Sequence, residues 1–336
     1  MNKKHYLLLG VLLILFFVFN IFIYTKPFDI ETDFIKITKK EIKNYPSVLN
    51  FGDVMFDRGV RNIMENRGRD PFEYFKKDLK LIGGYDVFIV NLEGPIVEMD
   101  KSKCQTKAYN FQFASTTPSL LKSVGINMVN IANNHNYDCY KTGFDKTKEY
   151  LYTAGIDYIG DNLLEKSFVT KVIKGKVITF IGIDETVAQI PVSKFYPLIN
   201  ELSKASDYIV VNIHWGTEYE LGKTESQVAI AHALVDNGAD VIFGHHPHVV
   251  EPFEIYKNKV IFYSLGNFVF DQNFGDTMVG LGAGVDFEGE RNTFTIFPFN
   301  IKLFAPELMS GEEKSIFCEK YLKSVGHNEC SFYVTN

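Results

Sequence analysis

Three of the chain's eight histidines, His245, His246 and His248, stand within four residues of one another in the stretch VIFGHHPHVV. Neutral imidazole ligates metals and moves protons, so the cluster points to metal binding or acid/base chemistry; a solvated surface turn would do neither. Further polar groups occupy the same kind of place. Asp53, Asn91 with Glu93, Asn134 with His135, and His214 each follow a short apolar run. Singly, each has an ordinary explanation: an Asp caps a helix, an Asn makes a turn, a His fills a core. Five such segments together make a mixed carboxylate, amide and imidazole donor set. That set suits a divalent transition metal, Mn, Fe or Zn, and without Cys among the donors a purely structural zinc site is disfavoured.

The elements that must position these residues alternate. Strands are expected over 47–51, 86–90, 126–132, 158–159, 208–213 and 240–243, the last broken by Gly244. Helices are expected over 71–82, 118–123, 142–154, 193–205, 225–237 and 312–323, and hairpins over 168–183 and 253–264. Residues 101–115 read as a polar loop or a hairpin with aromatics, 275–289 as a glycine-rich connection, and 293–304 as a last strand pair or one long bent strand. The strand runs are continuously apolar, as in a sheet covered on both faces. The expected fold class is therefore α/β, with mixed sheets in one domain. The five polar segments fall at the C-terminal ends of its strands, where layered α/β folds place their ligands.

At 336 residues, 46% hydrophobic and with a net charge of −6, the chain can bury a large core. It is too acidic for a nucleic-acid partner. Residues 1–26 stand apart. Lys3 and Lys4 precede an apolar run over 6–24 that is long enough to span a bilayer, and Asp29, Glu31 and Asp33 follow it. That asymmetry puts the N-terminus in the cytoplasm and the rest outside, on a single-pass anchor. A cleaved signal peptide is the alternative, disfavoured because no small-x-small site follows Tyr24. Residues 27–45 read as a juxtamembrane linker, 46–304 as the working domain and 305–336 as a tail packed on it. Cys104, Cys139, Cys318 and Cys330 permit two disulfides outside the cytoplasm, Cys104–Cys139 and Cys318–Cys330 being the natural pairing; four separate thiols remain the alternative.

Six motifs, in matching order over 46–304, carry a resemblance to a known family. They are Gly52-Asp53-Val54-Met55-Phe56-Asp57-Arg58, Asn91-Leu92-Glu93, Ala132-Asn133-Asn134-His135 with Asp138, His214-Trp215-Gly216-Thr217-Glu218-Tyr219, Gly244-His245-His246-Pro247-His248 and Tyr263-Ser264-Leu265-Gly266-Asn267-Phe268. The chain resembles the CapA family, capsule-biosynthesis proteins linked to poly-gamma-glutamate, with a fold similar to calcineurin-like metallophosphoesterases. The resemblance implies a layered α/β/β/α sandwich of mixed sheets behind an N-terminal transmembrane helix. It implies one or two divalent ions, with Asp53 and His248 on the first, Glu93 bridging, and Asn134, His214 and His246 on the second. His135 would donate a proton to a leaving group, oriented by Asp138. Asn91, Trp215, Glu218 and Tyr219 would line the substrate side, and Arg58 would pair with an anionic substrate. His245 would stand behind the ligands or face solvent. The implied partners are an anionic cell-surface polymer, the membrane, and capsule synthase or export subunits.

Two departures from the phosphoesterase pattern accompany the resemblance, and the CapA family shares both. Asp53-Val54-Met55 stands for Asp-x-His, and Asn-Leu-Glu for a Gly-Asp signature. The first metal therefore lacks a histidine from its motif. The alternatives are a single metal, another bond cleaved, or a non-catalytic accessory subunit that binds polymer.

Overall fold

The computed structural model describes residues 43–98, 100, 103–187, 189–325 and 330–335. The expected anchor at 6–24 and nearly all of the linker lie outside them. No helix among the described residues is long and apolar enough to cross a membrane. Residues 45–336 form one compact unit.

Strands β1 (Ser47–Val54), β2 (Val87–Leu92), β3 (Met128–Asn130) and β4 (Asp157–Ile159) lie parallel, side by side. The chain then builds a second, six-stranded sheet from β5 (Phe168–Ile173), β6 (Lys176–Asp184), β7 (Tyr208–His214), β8 (Val241–His245), β9 (Phe253–Tyr256) and β10 (Lys259–Phe262), in the order β5-β6-β7-β8-β10-β9. It returns through β11 (Asn267–Val269), β12 (Val279–Phe287), β13 (Arg291–Lys302), β14 (Ala305–Leu308) and β15 (Ser331–Thr335) to complete the first sheet. The order there is β14-β13-β12-β1-β2-β3-β4, with β11 on β1 and β15 on β13.

The core divides into layers because strand side chains alternate between faces. Val48, Val87 and Ile89 of the first sheet meet Phe180, Val210 and Phe243 of the second between the sheets. Leu49, Phe51 and Val90 point the other way, against helices α1 (Arg58–Arg67), α2 (Phe75–Ile82), α3 (Thr117–Lys122) and α4 (Tyr140–Ala154). Ile181, Val211 and Ile242 pack on helices α5 (Phe195–Ser203) and α6 (Glu225–Asp236). The layering is thus helix, sheet, sheet, helix. A last helix, α7 (Gly311–Tyr321), buries Cys318 in the core between the sheets. Disulfides join Cys104 to Cys139 and Cys318 to Cys330.

Several elements differ from the expectations. Helix α1 was not expected: its apolar stripe is short, Val60, Ile63 and Met64, with Val60 alone fully buried, and it starts because Asp57 accepts a hydrogen bond from Arg58 N at 2.6 Å. The glycine-rich stretch is mostly strand β12. Gly280, Gly282 and Gly284 share one face, where a Cβ would collide with Phe299, Phe51 and Tyr85, while Leu281, Ala283 and Val285 fill the core between the sheets. Residues 291–302 form one strand, and β14 and β15 of the expected tail pair with it. Gly244 does not break β8. The strand runs on through His245, which pairs with His214 of β7, and Gly244 leaves room for the carbonyl of Tyr263.

Candidate metal centre

The two sheets bring their C-terminal strand ends together over one buried pocket. Asp53 ends β1 just past a bulge, held by its N–H to Gly266 O at 3.0 Å. Its carboxylate faces three histidines. His248 Nδ1 lies 3.3 Å from Oδ2, His245 Nδ1 lies 3.6 Å from Oδ1, and His246 donates its backbone N–H to Oδ2 at 3.3 Å. Glu93, fully buried, stands opposite: His248 Nε2 is 3.7 Å and His135 Nε2 is 3.9 Å from its Oε1. Neither Glu93 oxygen has a hydrogen-bond partner among the described residues, nor has His246 Nδ1. Leaving such buried atoms unpaired is costly, by about 1–3 kcal/mol each and more for a charge.

The donors fall into two groups of three, each with one ligand atom per residue and all three within 4.8 Å of one another: Asp53, Glu93 and His248, and Glu218, His246 and His248. Orphaned carboxylate and imidazole atoms in a buried pocket fit a divalent cation. The loop that carries the histidines is shaped for them at a cost, since His246 (φ 100°) and His248 (φ 60°) both occupy the left-handed region that side chains disfavour.

Electrostatics follow from this crowding. Burial opposes ionisation of Asp53, but His248, His245 and the Asn91 amide hold its carboxyl below the ordinary value. Burial pushes Glu93 well above its usual range; His248 offsets part of this, while Asp53, Glu218 and Asp138 add to it. Burial works against the charged form of His248, yet Glu93 and Asp53 raise it to about 9. Burial lowers His245 and His246 to about 4 and His214 well below its usual value, so all three are neutral at pH 7.

The remaining site residues divide. Asn91 is not at a substrate surface: fully buried, it donates to Asp53 Oδ1 at 2.8 Å and to His214 Nδ1 at 3.2 Å, and accepts from Asn130 and Asn133. It therefore sets the orientation of two site residues. His214 has Nδ1 on Asn91, and its Nε2 donates to Asn134 Oδ1 at 3.0 Å. His135 Nδ1 donates to Asp138 Oδ2 at 2.8 Å, which leaves Nε2 toward Glu93, and its ring stacks on Phe111 at 4.1 Å. Burial lowers the pKa of His135, with Asp138 pulling the other way. Trp215 lies in the core behind β7, its indole N–H on Tyr263 O at 2.8 Å, and so is not brought to the pocket. Its neighbour His214 explains this, since successive strand residues face opposite ways. Arg58 pairs with Asp271 and lies over Phe111, so its charge is partly spent. Tyr219 is 45% exposed at the mouth, and burial and Glu218 raise its hydroxyl to about 12. His245 is not solvent-facing; it is fully buried, with Nε2 on Asn212 at 3.2 Å.

Sequence reasoning missed three contributors. Asn267 Oδ1 accepts from His248 Nδ1 at 2.9 Å, which aims Nε2 at the pocket. Lys107 pairs with Asp138 at 2.5 Å, and Phe111 donates its N–H to Asp138 Oδ2 at 2.6 Å. Asn267 stood within a recognised motif; Lys107 and Phe111 come from a loop of no regular pattern, stapled beside Asp138 by the Cys104–Cys139 disulfide.

The family described as bacterial capsule synthesis protein PGA_cap matches residues 47–272. The chain is 36% identical over 249 residues to the capsule biosynthesis protein CapA of Bacillus anthracis, which covers 67% of this chain and 60% of that protein. It is 32% identical over 276 residues to the PGA biosynthesis protein CapA of Bacillus subtilis strain 168, covering 76% and 71%. At 25% identity over 302 residues it also matches a probable polyglutamine synthesis accessory protein of Mycobacterium tuberculosis, covering 73% and 78%.

Proposed function

The chain belongs to the bacterial capsule synthesis protein family PGA_cap, and from that membership we propose a membrane-anchored, extracytoplasmic, metal-dependent hydrolase or transferase that acts on poly-gamma-glutamate or a related anionic cell-surface polymer. In this reading the layered domain is of the metallo-dependent phosphatase kind, and residues 6–24 are the anchor. The observation that carries the reading is Glu93: a buried carboxylate with both oxygens unpartnered, facing Asp53 and His248.

Asp53, Glu93 and His248 hold a divalent cation, Mn, Fe or Zn, and the resemblance adds Asn134, His214 and His246 for a second. The cation supplies Lewis acidity and a water of lowered pKa. The chain's own residues do the rest. Asp138 fixes the proton of His135 on Nδ1, and Lys107 balances the charge of Asp138. His135 Nε2 faces the pocket: once it has taken up a proton from water, the ring is held as imidazolium by Asp138, the Nε2 proton passes to the leaving group, and the ring returns to its neutral Nδ1–H form. Tyr219 and the exposed part of Arg58 meet the polymer at the mouth.

A second reading, a non-catalytic accessory subunit of a synthase or export complex, is favoured by the name of the mycobacterial relative and by Met55 in place of a ligating histidine. Complementation of a capsule-deficient strain separates the two. Catalysis predicts that His135→Ala abolishes polymer while the purified variant still binds Mn²⁺. Normal polymer with His135→Ala, together with loss of polymer on deleting residues 1–26, establishes the accessory role instead.

A further inference from the structure

The resemblance gives the second cation to Asn134, His214 and His246, but the hydrogen bonds of the pocket distribute the donors differently. Both nitrogens of His214 are engaged, Nδ1 with Asn91 at 3.2 Å and Nε2 with Asn134 Oδ1 at 3.0 Å. Asn134 and His214 are thus satisfied by one another. His246 is not: the residue is only 8% exposed, and its buried Nδ1 has no partner among the described residues. Just past the end of β1, Met55 offers no nitrogen, and its sulfur accepts from Asp57 N at 3.0 Å.

Glu218 fills the deficit. Tyr219, in the left-handed region at φ 67°, donates its N–H to Pro247 O at 2.8 Å and so staples the 217–219 turn onto the His246-Pro247-His248 loop. That staple sets Glu218 beside both histidines, with one donor atom from each of the three within 4.8 Å of the others. A carboxylate and an imidazole are donors for Mn, Fe or Zn. We propose that Glu218 is a metal ligand that holds, with His246, a second cation at the pocket mouth, next to the one whose ligand set takes the single free nitrogen of His248, while His214 and Asn134 form the wall that braces His246. The rings of His214 and His246 lie 4.7 Å apart. The proposal rests on the reading that the pocket holds divalent cations, and it moves Glu218 from the substrate side into the ligand set.

Mn²⁺ titrated into the metal-stripped full chain in detergent, counted by calorimetry and by the loss of the free-ion paramagnetic resonance signal, tests it. Wild type is expected to bind two ions. Glu218→Gln, which keeps the shape and removes the charge, weakens one of them by more than ~100-fold, since losing even a partner outside the ligand set costs about 10–100-fold. Glu218→Asp restores part of the loss, and Asn134→Ala weakens the same ion less than Glu218→Gln does. Two ions of unchanged affinity in Glu218→Gln overturn this proposal and leave the metal reading standing, as does a wild type that binds one ion only. A wild type that binds none overturns both.

Discussion

Glu251, three residues beyond His248, is fully buried and ties the two histidine loops together. Its Oε2 accepts from Gln227 Nε2 at 2.8 Å, while Gln227 Oε1 caps helix α6 at Thr224 N, and the Gln227 side chain packs under the Gly216 turn that follows His214. Burial raises Glu251 from 4.5 to about 7, against the pull of Gln227 and Lys223. Its folded pKa therefore exceeds its unfolded one, and stability falls as pH rises from about 4.5 through about 7, because the unfolded chain releases the proton first. At about 1.4 kcal/mol per pKa unit, the shift costs about 3 kcal/mol at pH 8 and under about 1 kcal/mol at pH 5. Glu251→Gln keeps an acceptor for Gln227 and removes the charge, so it stabilises the protein by that amount at pH 8 and by little at pH 5. Urea unfolding of the full chain in detergent at both pH values, followed by the fluorescence of the single Trp215, measures the difference. Other titrating groups cancel between variant and wild type. A stability difference that is the same at pH 5 and pH 8, or that is larger at pH 5, refutes the argument.

Asp138→Asn removes the carboxylate that holds His135 Nδ1–H and leaves Lys107 without its partner. Polymer formation in the complementation assay falls at least about tenfold, while Mn²⁺ affinity changes by less than about threefold. Replacing Cys104 and Cys139 together by Ser opens a loop closed over a separation of 35 residues. The expected loss is ~4 kcal/mol in urea unfolding, absent when wild type and variant are compared under strong reductant. Gly244→Ala drives a methyl group into the Tyr263 carbonyl at the centre of the second sheet; it lowers stability by ~1–3 kcal/mol in the same assay.

Much of the scaffold was legible because the parallel strands are mostly apolar and end in polar residues. Val87–Leu92 and Tyr208–His214 are buried along their whole length, and Asn91 and His214 lie where those runs stop. What failed in the sequence failed for local reasons. Helix α1 offers only a short apolar stripe, Val60, Ile63 and Met64, and β12 hides its period of two in glycines, whose missing side chains are the feature that matters. Within the site, residue type was readable and partnership was not. Nothing in the sequence tells that His214 spends both nitrogens on asparagines while His246 keeps one free. The position of Trp215 was recoverable: with His214 in the pocket, strand alternation sends Trp215 to the opposite face. Glu251 and Lys107 have no local signal, since both act on segments far away along the chain.

Mn²⁺ titration calorimetry on the metal-stripped full chain, wild type against Glu93→Gln, tests whether Asp53, Glu93 and His248 form a cation site. Saturable binding by wild type and a loss of affinity of more than ~100-fold in the variant are expected. Equal affinity in the two proteins, or no binding by wild type, contradicts such a site.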